Sequence, residues 1–274
     1  MKISVLGPKG TFSDVACLEY QKSSSKMIDV LYYFTIEEAV KALIDKADLC
    51  IVPIENSLDG YVQLTLDLLL EEDIKIVDEI LIPIQFKLIG NVTSIDKVEK
   101  LYVQFKAKGQ CRKTISKVKN AHIISTDSNM ISFERVLKGI KGEASIVPSH
   151  INHEGVNLLV SEATDSKENF TRFIVLSKKG ANNLNHSDKI RIPIFVVPKK
   201  DRPGMLFEIL KEFAINKINL TSIMSRPTKK KLGNYNFYIE IEAFAEDYDN
   251  IIETLNVVDK EFDVKVLGIY TKRS

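Results

Sequence analysis

No stretch of the 274-residue chain approaches the ~20 consecutive apolar residues that a bilayer-crossing helix requires. The opening Met1-Lys2 is followed by one short strand-like segment and then Gly7-Pro8, too early a break for the apolar region of an export signal. A cytoplasmic protein with no membrane role is expected. Charge of one sign is also missing: 38 Lys and Arg stand against 37 Asp and Glu, for a formal net charge of +1. Such a balance sets up no global field to draw in nucleic acid. The basic run Lys229-Lys230-Lys231 lies between Pro227 and Gly233 and reads as a solvated hairpin tip. Cysteine is scarce. Cys17, Cys50 and Cys111 are odd in number, widely spaced and without a CxxC pair, which fits reduced thiols and not a disulfide framework. Cys111 has no evident base partner. His150 and His153 form an HxxH pair with no carboxylate-rich helix around it, so no metal site is expected. What is present is 45% hydrophobic and 27% charged residues, interspersed, in a chain long enough for two or three domains.

Taken in order, Ile3-Ser4-Val5-Leu6 reads as a buried strand running into Gly7-Pro8-Lys9-Gly10-Thr11-Phe12-Ser13. Ser13 is a suitable N-cap for a helix through Val15, Ala16 and Leu18. A strand, a glycine-bearing turn and a helix N-terminus gather free N–H groups into an anion site. Without a Gly-Lys-Ser/Thr ending the turn is not a P-loop, and no cofactor is expected. A strand at 30–34, a helix capped by Thr35 and a strand at 48–52 follow. The last ends in Pro53-Ile54-Glu55-Asn56-Ser57-Leu58-Asp59-Gly60, ahead of a helix from Val62 to Leu70. Polar residues at the carboxyl end of a strand are where open α/β sheets bind ligands. Equally, Asn56 or Ser57 simply caps the helix.

A β-rich run from Ile80 to Ile89 suggests a crossover into a second lobe, and Val156–Val160 a return. Within that lobe a helix spans about 107–118, carrying Gln110, Cys111 and Arg112. Strands ending in Ile-Val-Pro, at Pro53 and at Pro148, hint that two similar α/β lobes flank a cleft. The returning strand begins Asn169-Phe170-Thr171-Arg172-Phe173. In an extended chain Thr171 and Phe173 share one side and Arg172 the other. Thr171 is either a hydrogen-bond donor delivered to the cleft or an ordinary strand residue. Arg172 either pairs with a carboxylate, locks the strand, or snorkels to water. Residues 181–188 read as a linker. After them a strand, an amphipathic helix with Leu206, Ile209, Leu210, Phe213 and Ala214 on one face, two strands, a second helix and a last strand give the order βαββαβ of a ferredoxin-like sandwich.

These motifs, in this order, resemble the prephenate dehydratase family of the monofunctional type with a C-terminal ACT regulatory domain. Gly7–Ser13 matches its GPxGTFS opening, Pro53–Ser57 with Gly60 its PIENSxxG stretch, Gln110-Cys111-Arg112 its QCR helix and Thr171-Arg172-Phe173 its TRF motif. Asp201-Arg202-Pro203-Gly204-Met205-Leu206, Ile218-Asn219-Leu220 and Ser225-Arg226-Pro227 resemble the regulatory site. The chain departs from the family at Gln104-Phe105-Lys106, at Thr126–Met130, at Glu168 and at Met224.

The resemblance implies a two-lobed, periplasmic-binding-protein-like α/β catalytic domain over 1–180 (lobe one about 1–80 and 156–180, lobe two about 81–155). A 181–188 linker and an ACT domain over 189–274 follow. It implies the decarboxylating dehydration of prephenate to phenylpyruvate, regulated by L-phenylalanine, in a homodimer or homotetramer. Thr171 and Glu55 are the expected catalytic groups, with Glu55 as the better acid behind Thr171. Lys9, Thr11, Phe12, Ser13, Asn56, Ser57, Gln110, Arg172 and Phe173 are the expected substrate contacts. Asp201, Gly204, Met205, Leu206, Asn219, Leu220 and Ser225 are the expected phenylalanine site. Arogenate dehydratase and a non-catalytic amino-acid-binding regulatory protein are the competing readings.

Overall fold

The computed structural model describes residues 1–24, 27–180, 188–199, 202–228 and 235–273. Asp201, the 181–187 part of the expected linker and the lysine-rich hairpin tip lie outside the described residues. The first lobe runs β1 (Lys2–Leu6), α1 (Phe12–Ser23), β2 (Asp29–Tyr33), α2 (Ile36–Lys41), β3 (Leu49–Asn56), β4 (Gly60–Tyr61), α3 (Gln63–Glu71) and β5 (Lys75–Pro83). The second lobe runs β6 (Phe86–Gly90), β7 (Lys100–Gln104), α4 (Phe105–Gln110), α5 (Arg112–Lys117), β8 (His122–Thr126), α6 (Asn129–Val136), β9 (Glu143–Pro148) and β10 (Asn157–Val160). The chain returns as β11 (Phe170–Ser177) and then forms β12 (Lys189–Pro198), α7 (Met205–Ile215), β13 (Leu220–Pro227), β14 (Tyr235–Phe244), α8 (Tyr248–Glu261), β15 (Phe262–Val266) and β16 (Tyr270–Thr271).

Three sheets result. The first has the order β2-β1-β3-β11-β5 with β4 beside β3, and the second β10-β6-β9-β7-β8. Read from β8, the second repeats the first: a parallel triplet whose third member meets two antiparallel strands. The two Ile-Val-Pro strands, β3 and β9, hold equivalent places. The first sheet keeps the chain to Pro83 and the second keeps it to Val160, against a crossover expected near 80 and a return expected at Val156–Val160. The reason is hydrogen bonding: β5 pairs along its length with β11, and β10 with β6.

Local boundaries follow from caps. Thr11, not Ser13, caps α1, accepting from Asp14 N; Ser13 lies in the first turn, buried. Thr35 caps α2 in a capping box with Glu38. The single helix expected over 107–118 is two, broken at Cys111, because the Asp165 carboxylate accepts from Arg112 N and Lys113 N (2.7 and 2.9 Å) and so starts a new helix there.

The third sheet, β13-β14-β12-β15 with β16 on β12, carries α7 and α8 on one face over a core of Ile192, Ile194, Ile209, Phe213, Ile239 and Leu255. Its other face lies on the first lobe. Phe195, Tyr238, Leu267 and Tyr270 pack into one core with Val52, Ile54, Leu66, Ile174 and Leu176. At that junction Ile76 N donates to Leu267 O at 2.7 Å. A Cβ placed on Gly268 would lie 2.1 Å from the Ile76 carbonyl oxygen, so only glycine permits this approach. No helix among the described residues is long and apolar enough to cross a membrane.

Candidate active site

β3 and β11 are antiparallel neighbours at the middle of the first sheet. Their register sets Thr171 opposite Asn56 and Arg172 opposite Glu55. Because neighbouring strand residues face opposite sides, the two pairs look in opposite directions. Thr171 and Asn56 face the second lobe; Arg172 and Glu55 face the third sheet.

On the front, Asn56 is the hub. Its Oδ1 accepts from Leu58 N and Asp59 N, both at 3.0 Å. Two backbone donors fix which end of the amide is oxygen, so Nδ2 must face the other way. There it meets Asn169 Oδ1 (2.8 Å), Phe170 O (3.0 Å) and Thr171 Oγ1 (3.0 Å). Asn169 is fully buried and passes the polarity on, donating from Nδ2 to Gln110 Oε1 at 3.0 Å. Gln110 Nε2 then donates to Asp59 Oδ2 at 3.2 Å, tying the second lobe to the first. Thr171 thus receives an N–H from Asn56 and keeps its own hydroxyl hydrogen for another acceptor. Neither Asn56 nor Ser57 caps α3, whose N-cap is Val62 without a side-chain hydrogen bond; Asn56 instead uses its oxygen for the turn at 58–59 and its amide nitrogen for Thr171.

The Gly7–Ser13 turn is arranged by a buried carboxylate. Asp14 accepts from Gly10 N at 2.9 Å and from the Tyr32 hydroxyl at 2.5 Å. Burial, then the hydrogen bond to Asp14, raise the Tyr32 phenol pKa. Thr11 caps α1, Lys9 is exposed, and Phe12 packs edge-on to Phe86 (5.6 Å) and His150 (5.3 Å) of the second lobe. His150 Nε2 lies 2.9 Å from Gly10 O, and Met130 Sδ stands against Gly10. The lobes therefore meet at this mouth of the cleft.

The back face corrects several expectations. Glu55 is not aimed at Thr171; its carboxylate accepts from Arg172 Nη2 at 2.8 Å on the reverse of the strand pair. Arg172 is buried and reaches away from the cleft, to Glu55, to Glu240 (2.7 Å) and to Glu79 (3.5 Å), so it holds no substrate carboxylate there. Burial, the largest single influence, pushes its guanidinium down; Glu240, Tyr270 and Tyr238 together outweigh it and the pKa is raised. Phe173 lies in the core with Ile80, Phe86 and Val175, not in the cleft. The Ser57 hydroxyl donates to Glu168 O and accepts from Phe170 N, fastening the start of β11. Ser13 is buried within α1. The Cys111 thiol is buried and pushed up to about 12, first by burial and then by Asp165, which leaves it a poor nucleophile. No cluster of three or more His, Cys, Asp or Glu able to hold a metal occurs among the described residues.

Of the residues expected around a regulatory ligand, Gly204 precedes α7 and Asn219 follows it, so the two stand a helix length apart, about 16 Å. Met205 is buried in the α7 face, Leu206 is more exposed, Leu220 packs at the rim of the same core, and Ser225 lies exposed on the edge strand β13. Met224 turns the other way, into the core shared with the first lobe.

Sequence reasoning gave no role to Asn169, although it adjoins the Thr171 motif, and missed Glu79, Arg191 and Glu240. Arg191 and Glu240 sit in alternating stretches such as Ile239-Glu240-Ile241, where a polar residue suits a solvated face, and Glu79 follows Asp78 between two strand-like runs.

Two equivalent α/β lobes closing on a threonine and amides, with a ferredoxin-like unit on the reverse face, define a two-lobed α/β protein with an attached regulatory-type domain. A prephenate dehydratase family model matches residues 3–181, and an ACT domain model matches residues 199–259. The chain belongs to the prephenate dehydratase family and carries an ACT domain. It is 37% identical over 277 residues to a bifunctional chorismate mutase/prephenate dehydratase of Aquifex aeolicus, covering 99% of this chain and 74% of that one. It is 35% identical over 251 residues to a prephenate dehydratase of Methanocaldococcus jannaschii, covering 90% of each. Among solved structures, a prephenate dehydratase of Arthrobacter aurescens in complex with L-Phe superposes with a TM-score of 0.87 at 28% identity, over 99% of this chain and 90% of that one.

Proposed function

We propose that the chain is a carbon–oxygen lyase converting prephenate to phenylpyruvate in L-phenylalanine biosynthesis, with residues 1–180 catalytic and 189–274 regulatory. The observation that carries the reading is the Thr171 hydroxyl, whose oxygen accepts from Asn56 in a chain of amides that ends on Asp59. In the reaction the electron pair of the ring-carbon–carboxylate bond moves through the ring and expels the hydroxyl opposite. That oxygen takes up one proton and leaves as water, while the carboxylate leaves as carbon dioxide. Thr171 donates a hydrogen bond to the departing hydroxyl, which steadies the negative charge growing there. The first N–H groups of α1, with Lys9 near them, attract the substrate's carboxylates. Gln110 and His150 reach the first lobe from the second, so closure sets the donor groups and excludes water together.

L-phenylalanine is the proposed regulatory ligand of the ACT domain. A single amino acid does not span the length of α7, so a ligand touching both the Gly204 turn and the Asn219 end needs a second copy of the chain. This supports a homodimer or homotetramer. Phenylpyruvate formation from prephenate, followed by ultraviolet absorbance in alkali with and without phenylalanine, tests both parts. Turnover altered by phenylalanine is expected. Absence of turnover refutes the catalytic reading, and turnover indifferent to phenylalanine refutes the regulatory one.

A further inference from the structure

Arg172 and Arg191 make a crossed set of ion pairs between the catalytic and ACT units. Arg172, on β11, reaches Glu240 on β14 at 2.7 Å. Arg191, on β12, reaches Glu79 on β5 at 2.5 Å and lies 3.7 and 3.5 Å from Glu240 and Glu242. Arg172, Glu79 and Glu240 are each less than a tenth exposed. The Tyr238 hydroxyl also donates to Glu240 Oε1. Each arginine thus pairs with a carboxylate of the other unit as well as with carboxylates of its own, and a buried charge deprived of one partner rearranges toward the rest.

Where this cluster attaches matters. Arg172 is the residue after Thr171, and between Arg172 and Phe173 the register of β11 against β3 shifts, so that Phe173 pairs with Pro53 and Ile54 is passed over. A bulge interrupts the ladder and re-aims side chains near it. On its other edge β11 keeps unbroken register with β5 from Phe170 to Val175. Across the bulged β3 edge the side chains add anchors on both faces: Asn56 to Thr171 on the front, and on the back Arg172, held by Glu55 at 2.8 Å and by Glu240 at 2.7 Å.

We propose that Glu240, a residue of the ACT domain, is a positioning residue for the dehydration, holding through Arg172 the strand that presents Thr171. The ACT domain is then part of the catalytic scaffold as well as a ligand sensor, and a shift of β14 against the first lobe moves the donor hydroxyl. The proposal rests on Thr171 acting in prephenate turnover.

Steady-state kinetics on the full chain test it. Glu240→Gln keeps the shape and removes the charge. The expected result is a loss of kcat of about tenfold to a hundredfold, the order that a displaced catalytic group costs, with KM held and the circular-dichroism spectrum unchanged. Glu242→Gln is the control, since Glu242 touches Arg191 and Lys272 and not Arg172; its kcat is expected to match wild type. Should Glu240→Gln not fold, Glu240→Asp decides, because it keeps the charge but draws it back from Arg172 by one methylene, about 1.5 Å. A fall in kcat with KM held is expected there too. Wild-type kcat in the folded Glu240 variant, or equal losses in the Glu240 and Glu242 variants, overturns the proposal while leaving the function intact. Absence of prephenate turnover by the wild type overturns both.

Discussion

Thr171 accepts an N–H from Asn56 across the β3–β11 pair at 3.0 Å, and Asn56 has no freedom to turn because Leu58 N and Asp59 N hold its oxygen. The threonine is therefore oriented within the strand pair, and because its oxygen accepts from Asn56 its own hydroxyl hydrogen is left for another acceptor. Thr171→Ala is expected to lower kcat by about a hundredfold or more, within the range of general acid and hydrogen-bond assistance, with thermal stability within a few degrees of wild type. Thr171→Ser, which keeps the hydroxyl, is expected to recover part of the loss. Near-normal turnover by the alanine variant in a prephenate assay would remove Thr171 from the mechanism.

Glu55 lies on the reverse side of the same strand pair, 2.8 Å from Arg172. Glu55→Gln is expected to change kcat by less than about tenfold and to leave the shape of its pH profile alone, because a general acid is what such a profile reports. A profile that loses one limb in this variant would return Glu55 to the role of acid.

At the domain junction the Gly268 backbone lies directly against Ile76. A methyl there meets the Ile76 carbonyl oxygen at 2.1 Å, and both are main-chain atoms with little room to yield. Gly268→Ala is expected to cost about 1–3 kcal/mol, the usual penalty of overpacking, read as a lower urea midpoint. An unchanged midpoint would mean that the ACT domain sits less tightly on the first lobe.

Three buried thiols should make the protein sensitive to alkali. Burial is the leading cause in each case, raising Cys17 to about 11 and Cys50 and Cys111 to about 12. In the unfolded chain a thiol ionises near pH ~8.5. The folded pKa lies above the unfolded one, so the stabilisation is complete below pH ~8.5 and is lost as pH rises toward the folded values. Urea midpoints are expected to fall between pH 9 and 11, and to fall less when Cys50 and Cys111 are replaced by alanine. Equal slopes for wild type and variant would show that other groups govern alkaline unfolding.

Short-range chemistry was legible in the chain itself. The strands around Val5, Ile51 and Val175, the Thr35 cap and the apolar face of α7 follow from periodicity and capping, which depend on a few neighbouring residues. Thr171 and Asn56 were also marked as candidate chemistry by residue type, and Gln110 by the family resemblance. Which way Arg172 and Glu55 face was not. A period of two says that they lie opposite Thr171 and Asn56, but not which face of the sheet meets the cleft.

That choice was made only when the third sheet docked on the first lobe. Docking turned Glu240, Glu79 and Arg191, each an ordinary polar residue in an alternating strand, into a buried charge cluster. It also gave Gly268 its need for glycine. Asn169 became a link for the same reason: residues 56, 110 and 169 are brought together by strand pairing and lobe closure, and sequence spacing carries no record of either. The sequence by itself determined most of the elements and the family; the tertiary structure decided which charges pack behind Thr171, because burial on both faces of a strand depends on what packs against it.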